Sequence, residues 1–209
     1  MNSNTIVTIG RQFGSGGHKI GELLAGRLDI PIYDHQLIQM AAEATNISHE
    51  DAAMVDETAL GKYLSSYALA PANYAAFIQN DAYQGPMSDR IFQSQKEIIL
   101  KLAEQGPCIF VGRCADYILG DYSNCLNVFL HAYKEDRIQR IMDIYGLDRR
   151  HAWDKIKQVD HERKHFYEER TGRKWDSPES YMIMFNVNLL GIEGTVDALE
   201  VIYRKWQTR

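Results

Sequence analysis

Cysteine is scarce in this chain of 209 residues, and its three cysteines form no CxxC pair: Cys108, Cys114 and Cys125. An odd and scattered set fits reduced thiols and a cytoplasmic location better than a disulfide framework or a zinc site. No apolar run approaches the roughly 18 residues of a membrane-spanning helix. The first ten residues also lack the basic stretch and apolar core of a signal peptide. The sequence therefore predicts neither membrane binding nor export.

An excess of positive charge is also missing. The formal net charge is −5, from 23 Lys and Arg against 28 Asp and Glu, and long nucleic acid requires a basic surface. The chain is 45% apolar and 24% charged, which is typical of a globular protein. Its length fits a single domain over residues 1–209. Any anionic ligand must therefore be held by local positive charge.

Short apolar runs alternate with segments of helical periodicity along the chain. Strands are predicted at residues 5–9, around 30–34, and at 108–111, 126–130 and 181–185. This alternation predicts an α/β fold, with a five-stranded parallel sheet covered by helices on both faces. Two helical insertions are also predicted: an alanine- and tyrosine-rich one at about 57–87, and a basic, lid-like helix at about 148–176.

A glycine-rich loop joins the first strand to the first helix and contains Gly14, Ser15, Gly16, Gly17, His18 and Lys19. Closely spaced glycines allow backbone N–H groups to turn toward phosphate oxygens, and the following helix adds its positive N-terminus. A tight turn without a ligand is the alternative. The dinucleotide pattern G-x-G-x-x-G fails because Lys19 stands at its third glycine, and the standard P-loop pattern does not match literally.

Polar residues follow the other predicted strands as well. Asp34 comes after the second strand, Arg113 after the third and His131 after the fourth. Ligands of parallel α/β sheets bind beyond the carboxyl ends of the strands. An anion-binding loop, an arginine and an acid at neighbouring strand ends therefore indicate a phosphorylated ligand.

An ordered set of motifs covers nearly the whole chain: IGRQFGSGGHKI at 9–20, IYD at 32–34, VGRCAD at 111–116, VFLHA at 128–132, Asp160-x-x-Arg163 and NVN at 186–188. The set resembles the cytidylate kinase-like family of P-loop proteins. The resemblance implies a nucleoside monophosphate kinase fold that transfers a phosphoryl group from ATP, with Mg²⁺, to an acceptor such as CMP. A catalytically degenerate nucleotide-binding or sensing protein is the alternative. Nucleotides are thus the expected partners, and the oligomeric state is left open.

The resemblance also implies residue roles. Residues 14–19 hold ATP, Lys19 and Arg163 are catalytic, and the substrate is bound by Asp34, Arg113, Asp116 and Asp160. In true cytidylate kinases the loop is G-x-S-G-x-G-K-G-T, which puts Gly17 at the lysine and Lys19 at the threonine. Lys19 either reaches back to the phosphates or stays a solvated first-turn lysine.

The basic helix has two interpretations. Asp160 and Arg163 lie one turn apart, so that Arg163 would neutralise the transferring phosphoryl group, or the helix is a solvated face with ion pairs. Arg137 and Arg140 similarly either face the phosphates or form surface salt bridges. His161 and His165 have i, i+4 spacing without a third ligand, so no metal site is predicted.

Overall fold

A five-stranded, fully parallel sheet organises the computed structural model, which describes residues 4–34 and 86–208. Its strands are β1 (Ile6–Arg11), β2 (Ile32–Tyr33), β3 (Ile109–Val111), β4 (Cys125–His131) and β5 (Ile183–Asn186). The strand order is β2-β3-β1-β4-β5, and every neighbouring pair is parallel. The predicted five-stranded parallel sheet is confirmed, with β1 at its centre.

Six α-helices lie in the described residues: α1 (Gly17–Leu28), α2 (Pro86–Gln105), α3 (Ala115–Ile118), α4 (Lys134–Tyr145), α5 (Arg149–Thr171) and α6 (Gly191–Gln207). Two 3₁₀ turns, Pro178–Ser180 and Val187–Leu189, flank β5. None of these helices is long and apolar enough to cross a bilayer.

Contacts divide the chain into two compact units, Met1–Asp34 with Leu100–Arg209, and His35–Ile99. The whole sheet belongs to the first unit. The helical insertion predicted at about 57–87 lies outside the described residues, apart from its last two, which begin α2.

The main core lies between one face of the sheet and helices α1 and α6. Side chains alternate between the faces of a strand, and Val7 and Ile9 of β1 point to this side together with Val128 of β4. Leu24 of α1 and Leu199 of α6 pack against them, and all five side chains are essentially inaccessible to solvent. This packing fixes the start of α1 at the carboxyl end of β1.

The opposite face of the sheet is aromatic and partly polar. The Thr8 hydroxyl donates to Asn127 Oδ1 at 2.7 Å in the buried interior. The ring of Phe129 packs edge-on against Trp175 and lies 4.8 Å, centroid to centroid, from Tyr181. The segment that follows α5 therefore covers this face beside β4.

The long basic helix α5 has clear signals at both ends. Asp148 caps its start by accepting a hydrogen bond from the backbone N–H of His151 at 2.9 Å, and Gly172 ends it with φ of +67°. Ala152, Ile156, Val159 and Tyr167 are buried, so one stripe of the helix packs into the protein. The helix predicted over 148–176 is thus Arg149–Thr171.

Candidate functional site

The carboxyl edge of the sheet brings together the residues that follow its strands. Arg11 ends β1, Asp34 follows β2, and Arg113 lies two residues beyond β3. Because β2, β3 and β1 are adjacent and parallel, these residues share one edge, which the sequence predicted for Asp34 and Arg113. It is the edge at which open α/β sheets bind ligands.

The glycine loop turns sharply between β1 and α1. Gly14 has φ of +77° and Gly16 φ of +87°, a left-handed conformation that strongly favours glycine. A Cβ atom on Gly14 would also lie 3.1 Å from the carbonyl oxygen of Arg137. Gly16 is the N-cap of α1, and no side chain caps the helix. The first N–H groups of α1 therefore point out of the helix without intrahelical partners, an arrangement suited to an anion.

Two arginines of α4 donate hydrogen bonds to backbone carbonyl groups of this loop. Arg137 Nε donates to the carbonyl of Phe13 at 2.8 Å, and Arg140 donates to the carbonyl of Gly14. Arg137 is only 6% exposed. The sequence left open whether these arginines face a phosphate or form surface salt bridges, and the structure shows both hydrogen-bonded to the loop backbone.

The loop is also held from α5. Asp160 accepts a hydrogen bond from the N–H of Phe13 at 2.7 Å and forms an ion pair with Arg137. Arg163 donates to the carbonyl of Arg11 at 3.1 Å, and its guanidinium lies 5.5 Å from the ring centroid of Phe13. Asp160 and Arg163, whose spacing predicted a lid, therefore both contact the loop backbone.

Asp34 is the centre of a second, buried charge cluster. Its carboxylate is 3.4 Å from Arg11 Nη2 and 2.9 Å from His18 Nδ1, and the residue is 5% exposed. Burial alone would raise the pKa of Asp34, but Arg11, the hydrogen bond of His18 and the charge of Arg113 hold it well below its ordinary value. The hydrogen bond to Asp34 in turn raises the pKa of His18 against the opposing effect of burial. The cluster is therefore an ionised carboxylate that is paired with the Arg11 guanidinium and hydrogen-bonded to His18.

The turn after β3 is strained where it presents Arg113. Three successive residues have positive φ: Gly112 at 77°, Arg113 at 59° and Cys114 at 55°. The left-handed conformation costs a non-glycine residue roughly 1–2 kcal/mol. Such strain persists where the surrounding structure requires it, often at functional sites.

Two other predicted site residues lie in different surroundings. Lys19 is exposed on α1 and its Nζ is 3.5 Å from Glu22. Asp116 is buried in α3 and accepts a hydrogen bond from the Tyr167 hydroxyl at 2.6 Å. Burial raises the pKa of Asp116. The contact of Asp116 with Tyr167 joins α3 to α5, and that of Lys19 with Glu22 stays within α1.

In the described part of the chain, most side-chain oxygens near the loop that could bind a metal already form hydrogen bonds or ion pairs within the protein. The Ser15 hydroxyl donates to the carbonyl of Gln12 at 2.8 Å, and Asp160 and Asp34 bind the cations named above. Lys19 occupies the position of the family threonine and offers no oxygen. No group of three metal-ligating side chains occurs within residues 4–34 and 86–208, and the rings of His161 and His165 stack at 6.5 Å. The described residues therefore do not fit a magnesium ion held by the protein itself.

Sequence reasoning missed Arg11. It ends a buried strand, and an arginine in a run of apolar strand residues is the signal that could have singled it out. Its partner Asp34 is 23 residues away, so the pairing becomes visible only when β1 and β2 are placed at one edge.

A glycine loop at the end of a central parallel strand, followed by a helix, is an arrangement that P-loop and dinucleotide-binding α/β proteins share, and the match to a family model decides between them. The family model of the cytidylate kinase-like family matches residues 6–189. The chain belongs to this family.

Solved structures agree on the fold. An uncharacterised protein from Eubacterium ventriosum is 25% identical with a TM-score of 0.70, and the match covers 96% of this chain and 98% of that one. A shikimate kinase from Bacteroides thetaiotaomicron is 14% identical with a TM-score of 0.53, with coverage of 96% and 98%. No curated protein sequence matches the chain.

Proposed function

We propose that the protein is a phosphotransferase that moves the γ-phosphoryl group of ATP to a nucleoside monophosphate of the CMP type. The observation that carries this proposal is the uncapped start of α1, where left-handed Gly14 and Gly16 leave backbone N–H groups available beside a buried arginine–carboxylate cluster. The start of α1 suits the phosphates of a donor, and the arginine–carboxylate cluster suits an acceptor. Membership of the cytidylate kinase-like family supports the same reaction.

In this reaction the bond between the γ-phosphorus and its bridging oxygen breaks, and a bond from an acceptor oxygen to that phosphorus forms. ADP leaves with the electron pair of the broken bond. Catalysis relies chiefly on positioning and on charge stabilisation rather than on covalent chemistry by the protein. The loop residues Gly14, Ser15, Gly16, Gly17, His18 and Lys19 hold the donor in this proposal, and Mg²⁺ enters only as part of the MgATP substrate.

The catalytic cations proposed from the sequence are Arg163 and Lys19. Contact of Arg163 with the loop carbonyl of Arg11 supports a position beside the transferring group, where it would stabilise developing charge. Lys19 would have to leave Glu22 and turn toward the phosphates.

For the acceptor we propose Asp34 and Arg113 at the ends of β2 and β3. Arg113 suits the acceptor phosphate because a guanidinium binds phosphate oxygens in a bidentate manner. Asp34 suits a hydroxyl or amino group, since a buried ionised carboxylate only accepts hydrogen bonds. Asp160 and Asp116 act on the substrate indirectly, through the loop backbone and through α5 respectively.

A coupled assay of ADP formation across the common nucleoside monophosphates tests this function. We expect turnover with a pyrimidine monophosphate above the ATPase background and none with the matching nucleoside, which lacks the phosphate. Shikimate serves as the control acceptor, since the shikimate kinase shares the fold at 14% identity. Equal rates with and without every monophosphate would contradict the proposed reaction.

The second candidate is a degenerate P-loop protein that binds or senses a nucleotide without turning it over. It is favoured by the glycine at position 17 in place of the usual lysine and by the exposed position of Lys19 beside Glu22. Saturable binding of ATP, measured by titration calorimetry, together with no ADP formation would select it.

A further inference from the structure

Arg11 occupies an unusual position for a charged residue in this loop. When Gly16 is set on the second glycine of the P-loop pattern G-x-x-x-x-G-K-[ST], Arg11 falls on the first glycine and Gly17 on the lysine. A cation therefore stands where the pattern has a glycine, and a glycine stands where it has the cation. The two positions have exchanged residue types.

The structure explains why these residue types must change together. A Cβ atom on Gly17 would lie 2.7 Å from Cβ and 3.0 Å from Cγ of Arg11, distances that require the side chain or the backbone to shift. The space at the start of α1 that a lysine at position 17 would enter is filled by the arginine stem.

The guanidinium end of Arg11 likewise requires a glycine, at the residue that follows β3. A Cβ atom on Gly112 would overlap Nη1 of Arg11, and Gly112 has φ of +77°. The side chain thus runs from the end of β1, across the start of α1, to the turn that presents Arg113. Two glycines leave room for it.

The guanidinium of Arg11 also retains donors. It carries five N–H groups, and its hydrogen bond within the described residues 4–34 and 86–208 is a long one, 3.4 Å from Nη2 to Asp34 Oδ1. Arg137 and Arg140, in contrast, donate to loop carbonyls. Arg11 is 8% exposed, so a phosphate bound there would interact with it in a largely desolvated environment, where charge-assisted hydrogen bonds are strong.

We propose that Arg11 replaces the missing P-loop lysine and binds the transferring phosphoryl group between the glycine loop and the Asp34–Arg113 edge. This inference rests on the proposed function, because it assigns the phosphate-binding cation of that same site. Asp34, proposed above to accept a hydrogen bond from the acceptor, then also positions Arg11.

A double-mutant cycle tests the exchange with ATP and inorganic pyrophosphate as probes. The variants are Arg11→Gly, Gly17→Lys and the double variant, which restores the pattern glycine and lysine. Titration calorimetry gives affinity, and urea denaturation gives stability. Arg204→Ala is the control, since that arginine is 61% exposed and pairs with Glu200 on α6.

We expect Arg11→Gly to weaken ATP binding about tenfold or more, and Gly17→Lys alone to destabilise the fold because it meets the arginine stem. The double variant should recover ATP affinity to within about threefold of the wild type and regain the lost stability. Arg204→Ala should leave ATP affinity unchanged. Arg11→Met, which keeps most of the side-chain volume without the charge, should lose affinity even if Arg11→Gly does not fold.

Wild-type affinity in Arg11→Met, or a double variant weaker than both single variants, would overturn the assignment of Arg11. If the wild type does not bind ATP, the proposed function fails, and pyrophosphate then tests Arg11 separately. Pyrophosphate binding that is lost in Arg11→Met would support the cation site without a kinase, and no pyrophosphate binding by the wild type would overturn it.

Discussion

Replacing Asp34 with asparagine should lower the free energy of unfolding by about 3 kcal/mol. The substitution keeps the shape of the side chain and removes its charge, which leaves the buried guanidinium of Arg11 without a counter-ion. Removing one partner of a buried ion pair typically costs about 3–5 kcal/mol. We expect the lower end because the contact between Arg11 and Asp34 is long, at 3.4 Å.

Urea denaturation at pH 6.5 measures this loss, and an NMR titration of the His18 ring measures the second consequence. The pKa of His18 should fall in Asp34→Asn, because the carboxylate hydrogen bond that raises it is removed. Asp197→Asn is the matched control, since Asp197 also pairs with an arginine but is 65% exposed. Surface pairs contribute little. Equal losses in the two variants, or an unchanged His18 pKa, would refute the buried charge cluster.

Three further predictions concern the loop and its surroundings. The folded-state pKa of His18 is raised, so the stability that its pairing with Asp34 contributes is fully present below the unfolded pKa of about 6.5 and is lost as pH rises through the folded pKa. Urea denaturation across pH 5.5–8.5 should show this fall in the free energy of unfolding for the wild type and a flatter pH profile for His18→Gln. Parallel profiles of the two proteins would contradict this prediction. Gly14→Ala should lower the free energy of unfolding by about 1–2 kcal/mol because residue 14 has a positive φ. Gly26→Ala is the control: it lies within α1 with open space at its Cβ and should raise the free energy of unfolding by about 0.5–1 kcal/mol. Destabilisation by both substitutions would show that the geometry of the loop is not the cause. Arg163→Ala should reduce kcat about 10²-fold with little change in ATP affinity by titration. Full turnover would mean that Arg163 only holds the loop backbone through the carbonyl of Arg11.

The periodicity of the sequence predicted the sheet, because short buried strands and amphipathic helices are local patterns. The second strand is shorter than predicted, Ile32–Tyr33 instead of about 30–34. The reason is that the Ile30 N–H donates to the carbonyl of Ala25 at the end of α1, so Ile30 belongs to the helix ending. The long basic helix was predicted at about 148–176, and it ends about five residues earlier, at Thr171, because Gly172 adopts the left-handed conformation that closes it.

The candidate site could be predicted only in part. Motifs located the loop, Asp34, Arg113 and Arg163, because each follows a strand or matches a family spacing. The hydrogen bond from Phe13 to Asp160 spans 147 residues, and the fit of Arg11 over Gly17 depends on the turn between β1 and α1. Such contacts arise from the assembled fold and have no local sequence pattern.

Binding of nucleotide phosphates by the glycine loop is the central claim, and NMR titration of the ¹⁵N-labelled protein with ATP tests it most directly. The backbone amide signals of Gly14, Gly16 and Gly17 should shift in a saturable manner with ATP and with ADP, and hardly at all with adenosine, because their N–H groups bind the phosphates. Unchanged loop signals at millimolar ATP, or equal shifts with adenosine, would contradict the account.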